Sequence, residues 1–108
     1  MSRPCVLLVD DEPDLLTLLE MTLARMELDT LSAGTLTEAR ALLAKHTPNL
    51  CLTDMKLPDG NGLELIAEIQ QRSPDLPVAM MTAHGSVESA IEALKLGAFD
   101  FVSKPVAL

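Results

Sequence analysis

The sequence contains no tryptophan or tyrosine and only two phenylalanines, Phe99 and Phe101. Proteins that hold single-stranded nucleic acid stack its bases on aromatic side chains, so this composition disfavours that class. Basic residues are also scarce: eight lysines and arginines face sixteen acids, and the formal net charge is -8. Because DNA binding depends on cationic contacts with phosphates, we expect no direct nucleic-acid contact by this chain.

Cysteines and long apolar runs are few as well. The two cysteines, Cys5 and Cys51, lie inside short apolar segments, which is typical of buried reduced thiols and not of a disulfide framework. No apolar run approaches the roughly 18 residues of a membrane span, and the N-terminus lacks the pattern of a signal peptide. We therefore expect a cytoplasmic protein that does not enter membranes.

The chain does have a strong alternation of apolar patterns. Its 108 residues, 48% of them hydrophobic, suffice for one domain with a modest core. Short apolar runs predict strands at 6–9, 28–33, 50–53, 78–81 and 99–102, and stretches of helical spacing lie between them. Strands joined by such helices run parallel with right-handed crossovers. The sequence thus predicts an α/β fold with a doubly wound, five-stranded parallel sheet.

Local signals support the predicted helices. Pro13 suits the first turn of a helix, Thr35 and Glu38 have the spacing of a capping box, and Gly97 lies where a helix needs a left-handed stop. A doubly wound sheet carries helices on both faces, so a further helix should follow the fifth strand, where only 106–108 remain. We expect residues 1–108 to be the N-terminal domain of a longer chain, with its last helix missing or truncated.

Polar residues follow four of the predicted strands at the point where each strand ends. Asp10 and Asp11 follow the first strand, Asp54 the third, Thr82 the fourth and Lys104 the fifth. In an open α/β sheet the functional crevice lies outside the carboxyl ends of the strands. A strand order of 2-1-3-4-5 would bring these side chains together, although the sequence does not by itself determine that order.

Three clustered carboxylates need a counter-charge. Two like charges at ~4 Å repel by about 4 kcal/mol at an effective dielectric constant of about 20. A hard divalent cation relieves this repulsion, and oxygen donors without histidine or cysteine favour Mg²⁺ or Mn²⁺ over zinc. A carboxylate can also act as a nucleophile and form an aspartyl-phosphate. Lys104 could neutralise a phosphoryl oxygen and Thr82 could donate a hydrogen bond to another.

Each of these residues taken singly has an ordinary structural interpretation, as a helix cap, a turn residue or a surface charge. Together, however, the sequence resembles the receiver domains of two-component response regulators. The matching segments are 9–13, 53–60, 81–84 and 104–105, and they extend over the whole chain. The resemblance implies the flavodoxin-like receiver fold, with Asp54 as phosphoacceptor and Asp10 and Asp11 as metal-binding acids. It also implies a further metal ligand in the backbone carbonyl of Lys56.

The resemblance further implies how the phosphoryl group is held and sensed. Thr82 and Lys104 would contact it, and Phe101 would be the switch aromatic that moves with Thr82. Many members of the family carry tyrosine at the position of Phe101, so any hydrogen bond from that hydroxyl is absent here. Such a domain is a phosphoacceptor switch that supports only its own phosphorylation and dephosphorylation.

Segments 81–86 and 97–101 resemble the nitrogen-regulator subfamily, and most of all the pilin-gene activators of type IV pilus systems. In that subfamily a receiver is joined to an AAA+ ATPase and a helix-turn-helix DNA-binding domain, and the protein activates sigma-54 promoters. The resemblance therefore implies a sensor histidine kinase as partner, downstream AAA+ and DNA-binding domains, and a homodimer among the states that phosphorylation could favour.

Two other functions stay open at this point. An aspartate-nucleophile phosphatase similar to the haloacid dehalogenases would need a second acid two residues after Asp54, where this sequence has Lys56. A degenerate receiver that only binds a partner would be expected to lack the acids or Lys104, and all are present.

Overall fold

A computed structural model describes residues 3–82 and 87–103 of the chain. Strands and helices alternate along this part. The strands are β1 (Cys5–Val9), β2 (Asp29–Ala33), β3 (Leu50–Asp54), β4 (Lys56–Leu57), β5 (Gly60–Asn61), β6 (Val78–Thr82) and β7 (Asp100–Ser103). The helices are α1 (Pro13–Arg25), α2 (Leu36–Lys45), α3 (Gly62–Arg72) and α4 (Val87–Lys95).

Five of the strands form one parallel sheet in the order β2-β1-β3-β6-β7. This confirms the predicted order, because these are the five predicted strands in chain sequence. Val9 at the end of β1 is in register with Ala33 on one side and Thr53 on the other. The carboxyl ends of the central strands therefore finish at the same edge. The predicted truncation of the last helix concerns 104–108, which lie outside the described residues.

Each face of the sheet carries a hydrophobic cluster. Leu7 and Val9 of β1 belong to a larger cluster that includes residues of α2, α3 and α4. Val6 and Leu8 point the other way and join a smaller cluster with Leu19 of α1. A strand buried on both faces requires a continuous apolar run, which explains the pattern at 6–9.

The helix signals in the sequence have the predicted effect, except that one hydrogen bond of the predicted capping box has a different donor. The Thr35 hydroxyl accepts a hydrogen bond from the Glu38 N–H at 3.0 Å, as in a capping box. The Glu38 carboxylate accepts in turn from the N–H of Gly34, at 3.3 Å, and not from that of Thr35. Gly97 adopts a φ of 116° just after α4, a conformation that only glycine adopts readily.

The antiparallel β4–β5 hairpin was not predicted. It consists of two residue pairs, Lys56 with Asn61 and Leu57 with Gly60. Strands this short show no alternation in a sequence. A full capping box, formed by the side chains of Asn61 and Glu64, then opens α3 and was also missed.

Both cysteines are free, as predicted. Cys51 is fully buried in the larger cluster, and this burial raises the pKa of its thiol to about 12. Cys5 is partly buried at the start of β1. Among the described helices, none has both the length and the apolar character that crossing a bilayer requires.

Candidate functional site

Asp10, Asp11 and Asp54 meet at the carboxyl ends of β1 and β3. One carboxylate oxygen from each lies within 4.8 Å of the others. Asp10 is fully buried and Asp54 is 7% exposed, whereas Asp11 faces solvent. The structure thus brings together the three acids that the sequence placed at one sheet edge. Their roles in metal binding and phosphoryl transfer stay predictions.

The backbone at the end of β1 holds Asp10. Its N–H donates to the carbonyl of Ala33 at 2.9 Å, which continues the sheet ladder by one step. Its Oδ1 accepts a hydrogen bond from the N–H of Glu12 at 2.9 Å. Pro13 follows as the first residue of α1. The turn from strand to helix therefore holds one oxygen of Asp10 against the backbone.

Asp54 is the last residue of β3, one residue further than the predicted end of that strand. The N–H of Met55 donates both to Oδ1 of Asp54, at 2.7 Å, and to the carbonyl of Met81 in β6, at 3.1 Å. The Thr53 hydroxyl donates to the backbone carbonyl of Asp54 at 3.0 Å. These contacts fix both the backbone and the carboxylate of Asp54.

Gly62 is a structural requirement of the site that sequence reasoning missed. A Cβ atom at this position would collide with the backbone carbonyl oxygen of Asp54. The N–H of Gly62 also donates to the carbonyl of Met55 at 2.7 Å. The start of α3 therefore packs directly on the backbone that carries Asp54. The segment 58–62 is rich in turn-forming residues, which predicts a turn but does not indicate this contact.

The β4–β5 hairpin is attached to α2 by Asp59. This side chain accepts hydrogen bonds from the backbone N–H groups of Leu36 and Thr37 and from the Thr37 hydroxyl. The pKa of Asp59 is lowered, chiefly by the hydrogen bond from Leu36. Lys56, whose carbonyl was predicted to bind a metal, lies in the same hairpin with its side chain exposed.

Three predicted site residues remain: Thr82, Phe101 and Lys104. Thr82 is the last residue of β6 and is in register with Ser103 of β7. The hydroxyl of Thr82 and the whole of Lys104 lie outside the described residues. Phe101 is paired in register with Met80, is partly buried, and packs against the larger cluster.

The donor set fits a hard divalent cation. All three clustered side chains offer carboxylate oxygens, which Mg²⁺ and Mn²⁺ prefer, and within the described residues no histidine or cysteine joins this cluster. One cation would also offset the mutual repulsion of the three charges. The residues present therefore suit a magnesium-type site better than a zinc site.

Comparisons with known proteins agree with this geometry. The family described as the response regulator receiver domain matches residues 6–108. The chain is 63% identical, over its full length, to the response regulator protein PilR of Pseudomonas aeruginosa, and it spans 24% of that relative. It spans about a quarter of the length of the first curated relatives that it matches.

Two solved structures share the fold closely. The beryllofluoride-activated NtrC4 receiver domain dimer has a TM-score of 0.91 and 36% identity, over 95% of this chain and 85% of that one. A response regulator protein from Burkholderia pseudomallei, solved with a phosphorylated aspartic acid, a calcium ion and citrate, has a TM-score of 0.91 and 27% identity. That match covers 96% of this chain and 61% of the other.

Proposed function

Because the chain belongs to the response regulator receiver domain family, we propose that Asp54 is its phosphoacceptor and that Asp10 and Asp11 bind the divalent cation. The observation that carries this proposal is the convergence of the three carboxylates within 4.8 Å at the edge of the sheet. The structure from Burkholderia pseudomallei supports it, because that relative holds a phosphorylated aspartic acid together with a divalent cation.

The chemistry is a displacement at phosphorus. A carboxylate oxygen of Asp54 attacks the phosphorus of a phosphohistidine. As the new O–P bond forms, the N–P bond breaks and its electron pair returns to the imidazole, which takes a proton from solvent. In such transfers the protein contributes positioning and charge neutralisation. The N–H of Met55, bonded to Oδ1 of Asp54, would serve the first of these needs.

Several groups around Asp54 would each offset part of the negative charge on the phosphoryl oxygens. Asp10, Asp11, Asp54 and the backbone carbonyl of Lys56 would hold Mg²⁺ or Mn²⁺, and the bound ion supplies positive charge beside the phosphoryl group. The ammonium of Lys104 would supply a second charge and the Thr82 hydroxyl a hydrogen bond. These groups support phosphorylation and dephosphorylation of Asp54 itself, so the domain acts as a switch and not as a turnover enzyme.

Phosphorylation would shift the domain between two states. Thr82 would move toward the phosphoryl group, and Phe101 of β7 would move with it. Moving a population from mostly inactive to mostly active requires a preference of about 5.5 kcal/mol between the states. New charge-assisted hydrogen bonds to the phosphoryl group, with a metal contact, are the kind of interaction that supplies such a preference.

The domain would work as the N-terminal receiver of a longer cytoplasmic regulator. The likeness to PilR, of which the chain spans 24%, supports downstream AAA+ and DNA-binding domains that activate sigma-54-dependent genes, with type IV pilus genes as the foremost candidates. A sensor histidine kinase would donate the phosphoryl group. The NtrC4 receiver in its beryllofluoride-activated form is a dimer, which supports a homodimer as the active state here.

The test is phosphorylation by a small acyl phosphate in the presence of Mg²⁺, followed by intact-mass measurement. We expect one phosphoryl adduct on the wild-type chain and none on Asp54→Asn. Asp75→Asn is the matched control, because Asp75 is an exposed acid on the connection into β6, away from the carboxyl-end edge. An adduct that persists in Asp54→Asn, or no adduct on the wild type, would contradict the proposal.

A further inference from the structure

One side chain fastens the tip of the β4–β5 hairpin to the N-terminus of α2. Oδ1 of Asp59 accepts a hydrogen bond from the N–H of Leu36 at 2.8 Å. Oδ2 accepts from the N–H of Thr37 at 3.0 Å and from its hydroxyl at 2.8 Å. The first N–H groups of a helix have no acceptor inside the helix. Asp59 therefore satisfies the start of a helix that lies 23 residues away in the chain.

These bonds close a ring that passes through Asp10 and Asp54. The N–H of Asp10 donates to the carbonyl of Ala33 at the end of β2, just before α2 begins. From α2 the ring crosses to Asp59 and returns along β4 to Asp54. The strands that carry Asp10 and Asp54 are thus joined twice, once directly in the sheet and once through this ring.

The hairpin depends on such attachments for its position. It has only two residue pairs, and a two-stranded hairpin is marginally stable by itself. Leu57 is 8% exposed and packs in the larger cluster, which secures one side of the hairpin. The N–H of Gly62 secures its end through the carbonyl of Met55. Asp59 is the polar attachment at the tip.

We propose that Asp59 is a positioning residue of the phosphoacceptor site: its bridge to α2 holds the Lys56 segment beside the three carboxylates and so raises the affinity for the divalent cation. The inference rests on the proposed function, in which the carbonyl of Lys56 is a ligand of that cation. Asp59 itself touches neither the cation nor the phosphoryl group. Its hydrogen bonds are charge-assisted, which makes the bridge stronger than one between neutral groups.

A purely structural role for Asp59, as a second cap of α2, predicts a different outcome. The chain offers a matched control, because the Thr35 hydroxyl caps the same helix through Glu38 and has no bond to the hairpin. Thr35→Ala weakens the start of α2 and leaves the bridge in place. Asp59→Ala removes the bridge and leaves the Thr35 cap in place.

The experiment titrates the wild-type chain, Asp59→Ala, Asp59→Asn and Thr35→Ala with Mn²⁺ and follows free Mn²⁺ by electron paramagnetic resonance. Phosphorylation rates by a small acyl phosphate are measured in parallel. Removing a group that orients a metal ligand weakens metal binding by about tenfold or more. We expect about that loss for Asp59→Ala, a smaller one for Asp59→Asn, which keeps one acceptor oxygen, and wild-type affinity for Thr35→Ala.

Equal Mn²⁺ affinity in Asp59→Ala and wild type would overturn the inference, as would an equal loss in Thr35→Ala. The rate of phosphorylation should fall most in Asp59→Ala at limiting metal and recover as the metal saturates. A loss of rate that saturating metal does not restore would also overturn it. If the wild-type chain binds no Mn²⁺ and forms no adduct, the proposed function fails and the inference with it. If the wild type binds Mn²⁺ and forms the adduct, but Asp59→Ala binds Mn²⁺ as tightly as the wild type, this inference fails and the proposed function stands.

Discussion

The central strands change character abruptly between their middle and their carboxyl ends. Leu7 of β1 and Cys51 of β3 lie in register and are fully buried. At the ends of the same strands, Asp10 and Asp54 are buried almost as completely, at 0% and 7% exposure. Burial of the apolar middle stabilises the fold by about 25 cal/mol for each Å² removed from water. Mutual repulsion among the clustered carboxylates opposes folding, and a bound cation would offset it.

Two regions of equal depth thus have opposite energetic roles. The degree of burial does not by itself identify the residues that stabilise the fold. Whether a buried side chain raises or lowers the free energy of unfolding depends on whether it is apolar or charged. The apolar clusters on the two faces of the sheet favour folding, whereas charge repulsion at the acidic edge works against it. A comparison of substitutions in the two regions should separate these roles in measurable terms.

The largest effect is expected from the apolar middle. Leu7→Ala removes buried hydrocarbon from a close-packed cluster and should lower the free energy of unfolding by about 2–5 kcal/mol. Urea unfolding followed by far-ultraviolet circular dichroism measures this, since the chain has no tryptophan or tyrosine to report by fluorescence. Leu18→Ala is the control, because Leu18 is 48% exposed on α1. A loss under about 1 kcal/mol for Leu7→Ala would mean that the two regions do not differ as described.

The acidic edge should respond in the opposite direction. Asp11→Ala removes one of three like charges and should raise the free energy of unfolding by about 1 kcal/mol in a metal chelator. Mg²⁺ at about a hundred times its dissociation constant should stabilise the wild type by about 2.7 kcal/mol. Asp11→Ala should lose that response. Thermal unfolding in chelator and in Mg²⁺ measures both effects.

Asp75→Ala is the control for the acidic edge, since it removes an exposed acid away from the cluster and should keep the full response to Mg²⁺. Destabilisation of the metal-free chain by Asp11→Ala would show that the acids do not repel as their proximity implies. An unchanged response to Mg²⁺ in Asp11→Ala would show that Asp11 does not bind the metal.

The apolar middle and the parallel direction of the strands were predictable because their signals are local, whereas the order 2-1-3-4-5 rested on the resemblance to the receiver fold. A continuous apolar run such as 6–9 indicates a strand buried on both faces. Strands that are joined by helices run parallel to one another. The meeting of Asp10 with Asp54 then follows from a general property of open α/β sheets, in which the carboxyl ends form the functional edge.

Most of the unpredicted contacts join segments that are distant in the chain or too short to show a pattern. The capping box of Asn61 and Glu64 is an exception, since its three-residue spacing is local. The bridge from Asp59 to Leu36 spans 23 residues, and no local spacing indicates it. The packing of Gly62 on the Asp54 carbonyl depends on how α3 approaches β3 in space. The end of β3 was placed one residue early, since a charged residue suggests a strand end. The ladder continues because Asp54 is in register with Met81 of β6.

The smallest effect is expected where opposite charges meet at the surface. Arg40 of α2 donates to both carboxylate oxygens of Glu68 in α3, at 3.0 and 2.8 Å. The two side chains are 43% and 37% exposed, so solvent weakens their attraction. Such pairs contribute about 0.2–1 kcal/mol. We expect Glu68→Gln to lower the free energy of unfolding by no more than that, and by less in about 1 M salt, where screening is strong.

The dependence of this pair on pH distinguishes it from a packing effect. The hydrogen bond from Arg40 lowers the pKa of Glu68 in the folded chain. A lowered pKa contributes stability above the unfolded value of about 4.3, and this contribution is lost as the pH falls through the folded value. Wild type and Glu68→Gln should therefore differ at neutral pH and converge once the pH lies below the lowered pKa of Glu68, as measured by chemical unfolding. A difference that persists in acid would assign the effect to the packing of the side chains, and exposed opposite charges would then resemble the apolar middle more than the acidic edge.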